Sequence, residues 1–385
     1  MIVATGVSCE LDPFAAAAHA AAQAGDGLDG APADLVVVFA SGAHLAAPEA
    51  TLEAIHGRLS PGALVGCGAG GVLAAGRELE TGTAVAVWAA ALDGGAARPF
   101  RATVTERDGM GVLEGLPGFA ADAGVILLSD PYSFPTDAVL DGLARDAPGV
   151  AVLGGLSSAR TPDGGGALFE GEEVCGEGAV GVCLEGVEML PCVSQGAAPL
   201  GREMTITAAE GNVIHELAGR PAVQAIEAAI AELSLPERAL VAAGLLIGIV
   251  IESGRPEYEQ GDFLVRGVLG ADEQTGAVAV GAAVATGQIV RLHARDARSA
   301  DADLRRELRV RAQAIGGQTP AGALVFSCNG RGRSMFGACD HDAAMVHDEL
   351  GGPPAAGFFA AGEIGPVGGR SFLHGFTATV AVFPG

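Results

Sequence analysis

Short apolar runs recur along the chain, and most of them end in glycine, serine or cysteine. The first set begins with residues 35–39, continues through a helical stretch at 48–59 and a second run at 63–65, and enters the turn 66–71 before a closing run at 83–89. The same order returns in 125–128, 136–145, 151–153, the turn 154–158 and 179–184. It returns again in 324–326, 340–350, 357–361, the turn 362–365 and 376–382. Each copy occupies roughly 50 to 60 residues. Apolar strands alternating with ten-residue helices predict an α/β fold with parallel strand pairs.

Other stretches break the pattern. Runs at 263–268 and 277–280 flank Asp272-Glu273-Gln274-Thr275-Gly276, which predicts a hairpin and hence an antiparallel or mixed sheet there. Ser299 as cap, Asp301 and Asp303 in the first turn, Leu304, Leu308 and Ile315 on one face and Gly316 at the end predict an amphipathic helix. Pro199-Leu200-Gly201 punctuates the end of the second copy and places a boundary there. The expected architecture is α/β: layered mixed β-sheets flanked by helices, with recurring strand-helix-strand-strand units in two tandem domains, 1–197 and 198–385.

Composition narrows the chemistry. The formal charge of −24 comes from 46 acids and 22 bases, and every base is arginine. Without lysine there is neither a phosphate-binding Walker loop nor an amine for pyridoxal or Schiff-base chemistry. An acidic surface repels phosphate backbones and anionic membranes, so neither nucleic acid nor membrane is an expected partner. Seven cysteines, an odd count with no C-x-x-C pair, fit neither a disulfide framework nor a zinc ribbon and suit a reducing cytoplasm. Residues 1–10 lack the basic and apolar segments of a signal peptide, and the longest apolar run, 239–251, is too short for a bilayer span of ~20 residues. A cytoplasmic protein is expected.

Four clusters carry candidate chemistry. Gly66, Gly68 and Gly71 follow a strand and mimic a dinucleotide fingerprint, but residues 72–80 are too short for the crossover helix that motif needs, so a tight turn and no cofactor are expected. His341 and His347 stand six apart and face different directions on a helix, which argues against a metal site with Cys328 and Cys339. Arg291 to Arg311 interleave with Asp296, Asp301, Asp303 and Glu307, as on a solvated helix face. The fourth cluster is the segment 324–366, where two apolar strands discharge into glycine turns.

Those turns hold Cys328, Asn329, Arg331, Arg333, Gly362 and Glu363. A guanidinium in a glycine loop can grip a carboxylate through two parallel hydrogen bonds, and loops at the carboxyl ends of strands are where α/β sheets place ligands. If Glu363 lies across the crevice from Arg331, the pair presents a cation and an anion to a zwitterion. The alternative is that Arg331 and Glu363 bridge each other and fix the loops. Cys328 beside two arginines is either a nucleophile, if His341 or His374 supplies a base, or a thiol that lines the site.

Phe326-Ser327-Cys328-Asn329-Gly330-Arg331-Gly332, with residues 357–366 and 373–379, resembles the C-terminal FIST domain. Val38-Phe39-Ala40-Ser41 and Val65-Gly66-Cys67-Gly68-Ala69-Gly70-Gly71 resemble the N-terminal FIST domain, with Ala69 where a hydroxyl residue is expected. The resemblance implies an intracellular sensory module that binds small ligands such as amino acids and acts in signal transduction. The two halves occupy the whole length, so a separate protein partner is expected to carry the signal. The family carries no established catalytic residues, so the reading is a non-enzyme whose ligand is held by Cys328, Asn329, Arg331, Arg333, Gly362, Glu363, Thr377 and Cys67. The alternatives are a thiol hydrolase or transferase using Cys328, and a ligand-free scaffold.

Overall fold

The three recurring segments fold alike in a computed structural model, which describes residues 1–107, 109–120 and 123–385. In the first repeat, strand Leu35–Ser41 leads through helix Pro48–Leu59 to a parallel strand, Ala63–Ala69, and Ala84–Ala91 returns antiparallel to the first. The second repeat uses Gly124–Ser129, Thr136–Asp146, Ala151–Leu156 and Ala179–Glu185. The third uses Gly322–Cys328, His341–Leu350, Ala355–Ala360 and Thr377–Phe383. The opening strands are buried nearly throughout, as expected where both faces of a sheet are covered, which is why they read as continuous apolar runs.

A glycine recurs in each second strand. A Cβ on Gly66, Gly154 or Gly357 would lie 2.2, 1.9 or 1.8 Å from the carbonyl oxygen of its register partner, Val38, Leu127 or Val325. No side chain fits at those distances, so close approach of the paired backbones demands glycine in all three copies.

Between its second and third strands each repeat inserts a short hairpin, and each hairpin joins the sheet of another repeat. Val72–Ala74 and Arg77–Leu79 of the first repeat extend the third repeat's sheet, with Phe358 opposite Val72. Leu168–Glu170 and Glu173–Cys175 of the second extend the first repeat's sheet, with Leu168 opposite Cys67. Glu363–Val367 and Arg370–His374 of the third extend the second repeat's sheet, with Gly155 opposite Glu363. The exchange is cyclic. The strand runs on to Ala69, so the turn expected at 66–71 is confined to Gly70 and Gly71, and it leads into a hairpin and not into a nucleotide-binding helix.

Cyclic exchange explains how the chain divides. One compact unit gathers Met1–Val193, Leu304–Leu373 and Ala378–Gly385, and the other gathers Ser194–Asp303 with His374–Thr377. The chain leaves the first unit after Val193 and returns to it at Leu304, and the third repeat joins the first two because their hairpins are shared. Residues 198–385 are accordingly split between the units.

In the first unit the inner faces of the three sheets meet around Phe39, Trp88, Phe326, Phe358 and Phe383. Phe39 stacks on Phe358 with ring centroids 5.0 Å apart, and Trp88 meets Phe383 at 5.3 Å. Helices cover the outer faces, for example Pro13–Gly27 through Ala16, Ala17, Ala20, Ala21 and Ala24. Alanine suits such close packing of helix on sheet.

In the second unit, strands Ala197–Glu210, Ile289–Arg295, Leu245–Val250, Phe263–Ala271, Val278–Val280 and Val213–Leu217 close into a ring, because Ala197–Glu210 pairs at both ends. The hairpin expected at 263–280 is present. Helix Ala297–Ala314 begins two residues before the expected cap: Asp296 accepts from the Ser299 N–H at 3.0 Å, so Asp296 and not Ser299 is the capping side chain. Among the described residues, no helix is long and apolar enough to cross a membrane.

Candidate functional site

Because the three repeats share hairpins, the turns that follow their strands meet at one place in the first unit. Ser158 Oγ accepts from the Gly70 N–H at 2.9 Å and donates to the Phe359 carbonyl, so one hydroxyl of the second repeat ties turns of the other two. Ser157 Oγ donates to the Gly68 carbonyl at 2.7 Å, Phe359 N–H to Gly71 at 3.0 Å and Ala361 N–H to Leu156 at 3.0 Å. A Cβ built on Gly70 would lie 3.8 Å from Ser158 Oγ and 4.0 Å from Asn329 Oδ1. Gly70, Asn329 and Ala361 are exposed, while Cys328, Gly330 and Ser158 are half-buried. The result is an open patch of hydroxyl, amide, thiol and bare backbone with little side-chain bulk.

The turn 328–331 is held from both sides. Asn329 N–H donates to the Ala360 carbonyl at 2.9 Å, Arg331 N–H to the Cys328 carbonyl at 2.8 Å and Gly330 N–H to Cys328 Sγ at 3.4 Å. The Arg331 side chain turns inward and is 1% exposed. It makes the bidentate grip expected of a guanidinium, but with an internal carboxylate: Nε and Nη2 donate to Asp342 Oδ2 and Oδ1 at 2.7 and 2.8 Å. Glu363, also buried, adds to the electrostatic field on Arg331. The bidentate partner is thus Asp342, a residue that neither sequence alternative for Arg331 names.

Asp342 is the hub that sequence reasoning missed. It also accepts from Ser327 Oγ at 2.7 Å and lies 2.9 Å from His341 Nδ1. Burial alone would raise its pKa, but the charge and hydrogen bonds of Arg331, His341 and Ser327 hold the carboxyl well below the usual range. Arg331 is likewise opposed by burial, which Asp342 outweighs, with Cys328 and Glu363 adding to it, so the guanidinium stays charged. Phe336 lies under Arg331 at 5.1 Å and stacks on His341, closing the network on its outer side.

The exchanged hairpin of the first repeat completes the support. Glu78 Oε1 accepts from the N–H groups of Asp342 and Ala343 at 2.7 and 3.1 Å, capping helix His341–Leu350. Asp340 Oδ1 in turn accepts from the Glu78 N–H at 2.6 Å, a reciprocal cap built across 262 residues of chain. Burial, then the charges of Asp342 and Glu80, push the Glu78 carboxyl up to about 7. Glu80 accepts from the Arg333 N–H at 2.8 Å, while the Arg333 side chain is exposed.

The remaining residues expected at the site are placed as follows. Gly362 is buried beside the patch, where a Cβ would meet Leu156 and Leu373 at 3.0 Å. Cys67 is fully buried among the inner faces of the sheets, and burial pushes its thiol far up. Thr377 is buried and belongs with the second unit. Cys328, Asn329, Arg331, Gly362 and Glu363 are thus brought to one turn system, and Cys67 is walled off from solvent. Ser158 and Gly70 sit in the repeated turns whose small residues were the signal for them. Glu78 and Asp342 had no comparable signal, since one lies in a segment of no clear period and the other reads as an ordinary first-turn acid.

The FIST N domain model matches residues 34–220 and the FIST C domain model residues 222–366. The chain is 43% identical over 387 residues to Uncharacterized protein Rv0628c of Mycobacterium tuberculosis, covering 100% of both chains. It is equally 43% identical to Uncharacterized protein Mb0898c of Mycobacterium bovis, covering 100% of this chain and 99% of that one. FIST domains are in general sensory domains that bind small ligands in signal transduction. Matches to both domain models and full-length similarity to these mycobacterial proteins show that the chain belongs to the FIST family.

Proposed function

We propose that the patch formed by Gly70, Ser158, Cys328, Asn329, Gly330 and Ala361 is the ligand face of a cytoplasmic sensor, and that its ligand is an amino acid or related zwitterion. The observation that carries this reading is the meeting of turns from three repeats around exposed backbone and short polar side chains. A small zwitterion needs polar groups within a few ångströms of one another, and this patch offers the Asn329 amide, the Ser158 hydroxyl oxygen and the Cys328 thiol on turns whose own N–H groups are tied within the fold. Arg331, Asp342 and Glu363 act from beneath as the fixed support. The signal passes to a separate protein partner.

The test is a thermal-shift screen over amino acids and related zwitterions with Asn329→Ala and Ser158→Ala alongside. A ligand that raises the melting temperature of the native protein is expected to lose most of its shift in both variants. Shifts that survive in both reject the site assignment.

A further inference from the structure

The reciprocal cap between Glu78 and helix His341–Leu350 does more than close a helix end. Glu78 fixes the backbone of Asp342, Asp342 grips Arg331 through two bonds, and Arg331 anchors the turn that carries Cys328 and Asn329. Each link is buried, so a change at the first is transmitted by contact. We propose that Glu78 is a positioning residue whose protonation sets how firmly the 328–331 turn is held, so that the neutral acid locks the turn and the carboxylate loosens it. The proposal rests on reading that turn as part of the ligand face.

The geometry says why protonation matters here. Glu78 is 8% exposed, its Oε1 is committed to two backbone donors, and its buried Oε2 makes no hydrogen bond within the chain. The charged groups around it are mostly of its own sign. Asp342 and Asp340 face it from the helix end and Glu80 shares its hairpin, while Arg331 is clamped to Asp342 and the sequence neighbour Arg77 is exposed. A carboxylate at this place is repelled by its neighbours and cut off from water, and only the helix N–H groups favour it.

The sign follows by linkage. The Glu78 carboxyl rises from its ordinary 4.5 to about 7 when the latch is closed, so the closed form binds the proton more tightly than an opened form with Glu78 in solvent. Stability of the closed latch is fully present below pH 4.5 and is lost as pH rises through about 7. Across that window local opening increases on the order of a hundredfold, the rise then levelling off.

Two readouts test this in the full chain without any ligand. The first is amide hydrogen exchange at Asp342 and Ala343 from pH 4.5 to 8, corrected for intrinsic exchange. The second is the iodoacetamide rate of Cys328 in a Cys9→Ser, Cys339→Ser background, taken as a ratio to the same background carrying Glu78→Gln. Opening is expected to rise on the order of a hundredfold in the native protein and to stay flat in Glu78→Gln. Flat behaviour in the native protein, or the same rise in both, overturns the proposal. Should Glu78→Gln fail to fold, a carboxyl-carbon NMR titration of the native protein decides instead: a Glu78 midpoint near 7 supports the latch, and one near 4.5 overturns it. Because no ligand enters these measurements, an empty zwitterion screen would reject the ligand face and leave the latch standing.

Discussion

Removing the Arg331 guanidinium while keeping its bulk, as Arg331→Met, strands Asp342 in the core of the first unit. Asp342 is fully buried and keeps only Ser327, at 2.7 Å, and His341, at 2.9 Å, as side-chain partners. Breaking a buried ion pair from one side costs about 3–5 kcal/mol, because the remaining charge has neither water nor counter-charge. For a unit of about 270 residues, where each kcal/mol is roughly 2 °C, the melting temperature should fall by about 6–10 °C. Arg331→Met with Asp342→Leu removes both charges and should recover part of that loss, leaving the costs of the unbonded Ser327 hydroxyl and of buried Glu363 without the field of the guanidinium. The expected coupling is at least ~2 kcal/mol. Trp88 is the single tryptophan, is fully buried and lies in the first unit, so its fluorescence follows this unit's unfolding without interference from the other. Additivity of the two single losses within ~0.5 kcal/mol would refute the claim that Arg331 and Asp342 act as one buried unit.

Gly66→Ala, Gly154→Ala and Gly357→Ala should each lower the Trp88 transition by about 1–3 kcal/mol or more, since each Cβ would overlap a carbonyl oxygen of the neighbouring strand. Gly57→Ala, in helix Pro48–Leu59 with nothing within 4 Å, should instead stabilise by ~0.5–1 kcal/mol, so a uniform response would break the argument. In the second unit, burial lowers His293 from 6.5 to about 4, so the neutral ring is favoured on folding. Its contribution is present above pH 6.5 and lost as pH falls toward 4, about 3 kcal/mol in all. Exchange at strand Ile289–Arg295 should show that loss in the native protein and not in His293→Leu.

Much of this arrangement is legible in the sequence, for physical reasons. The repeats declare themselves because buried parallel strands need unbroken apolar runs and their crossover helices need ten or so periodic residues, so 35–69, 125–156 and 324–360 each carry both signals. The hairpin exchange does not declare itself. Val72–Ala74 and Leu168–Glu170 are three residues long, too short to show a period, and their partners lie far away in the chain. The same distance hides Glu78, whose partner helix begins at His341. Arg331 stands out from its glycine loop, yet the choice between a ligand carboxylate and Asp342 depends on which way a side chain turns, and spacing alone does not encode that. Cys67 shares its turn's small-residue pattern but sits where the strand is still buried on both faces.

The claim that the meeting turns form the ligand face is tested most directly by amide chemical-shift mapping of the native protein with the zwitterion that gives the largest thermal shift. Perturbations should concentrate at Gly70, Ser158, Cys328, Asn329, Gly330 and Ala361. A saturable ligand whose perturbations leave all six unmoved and cluster elsewhere would contradict it.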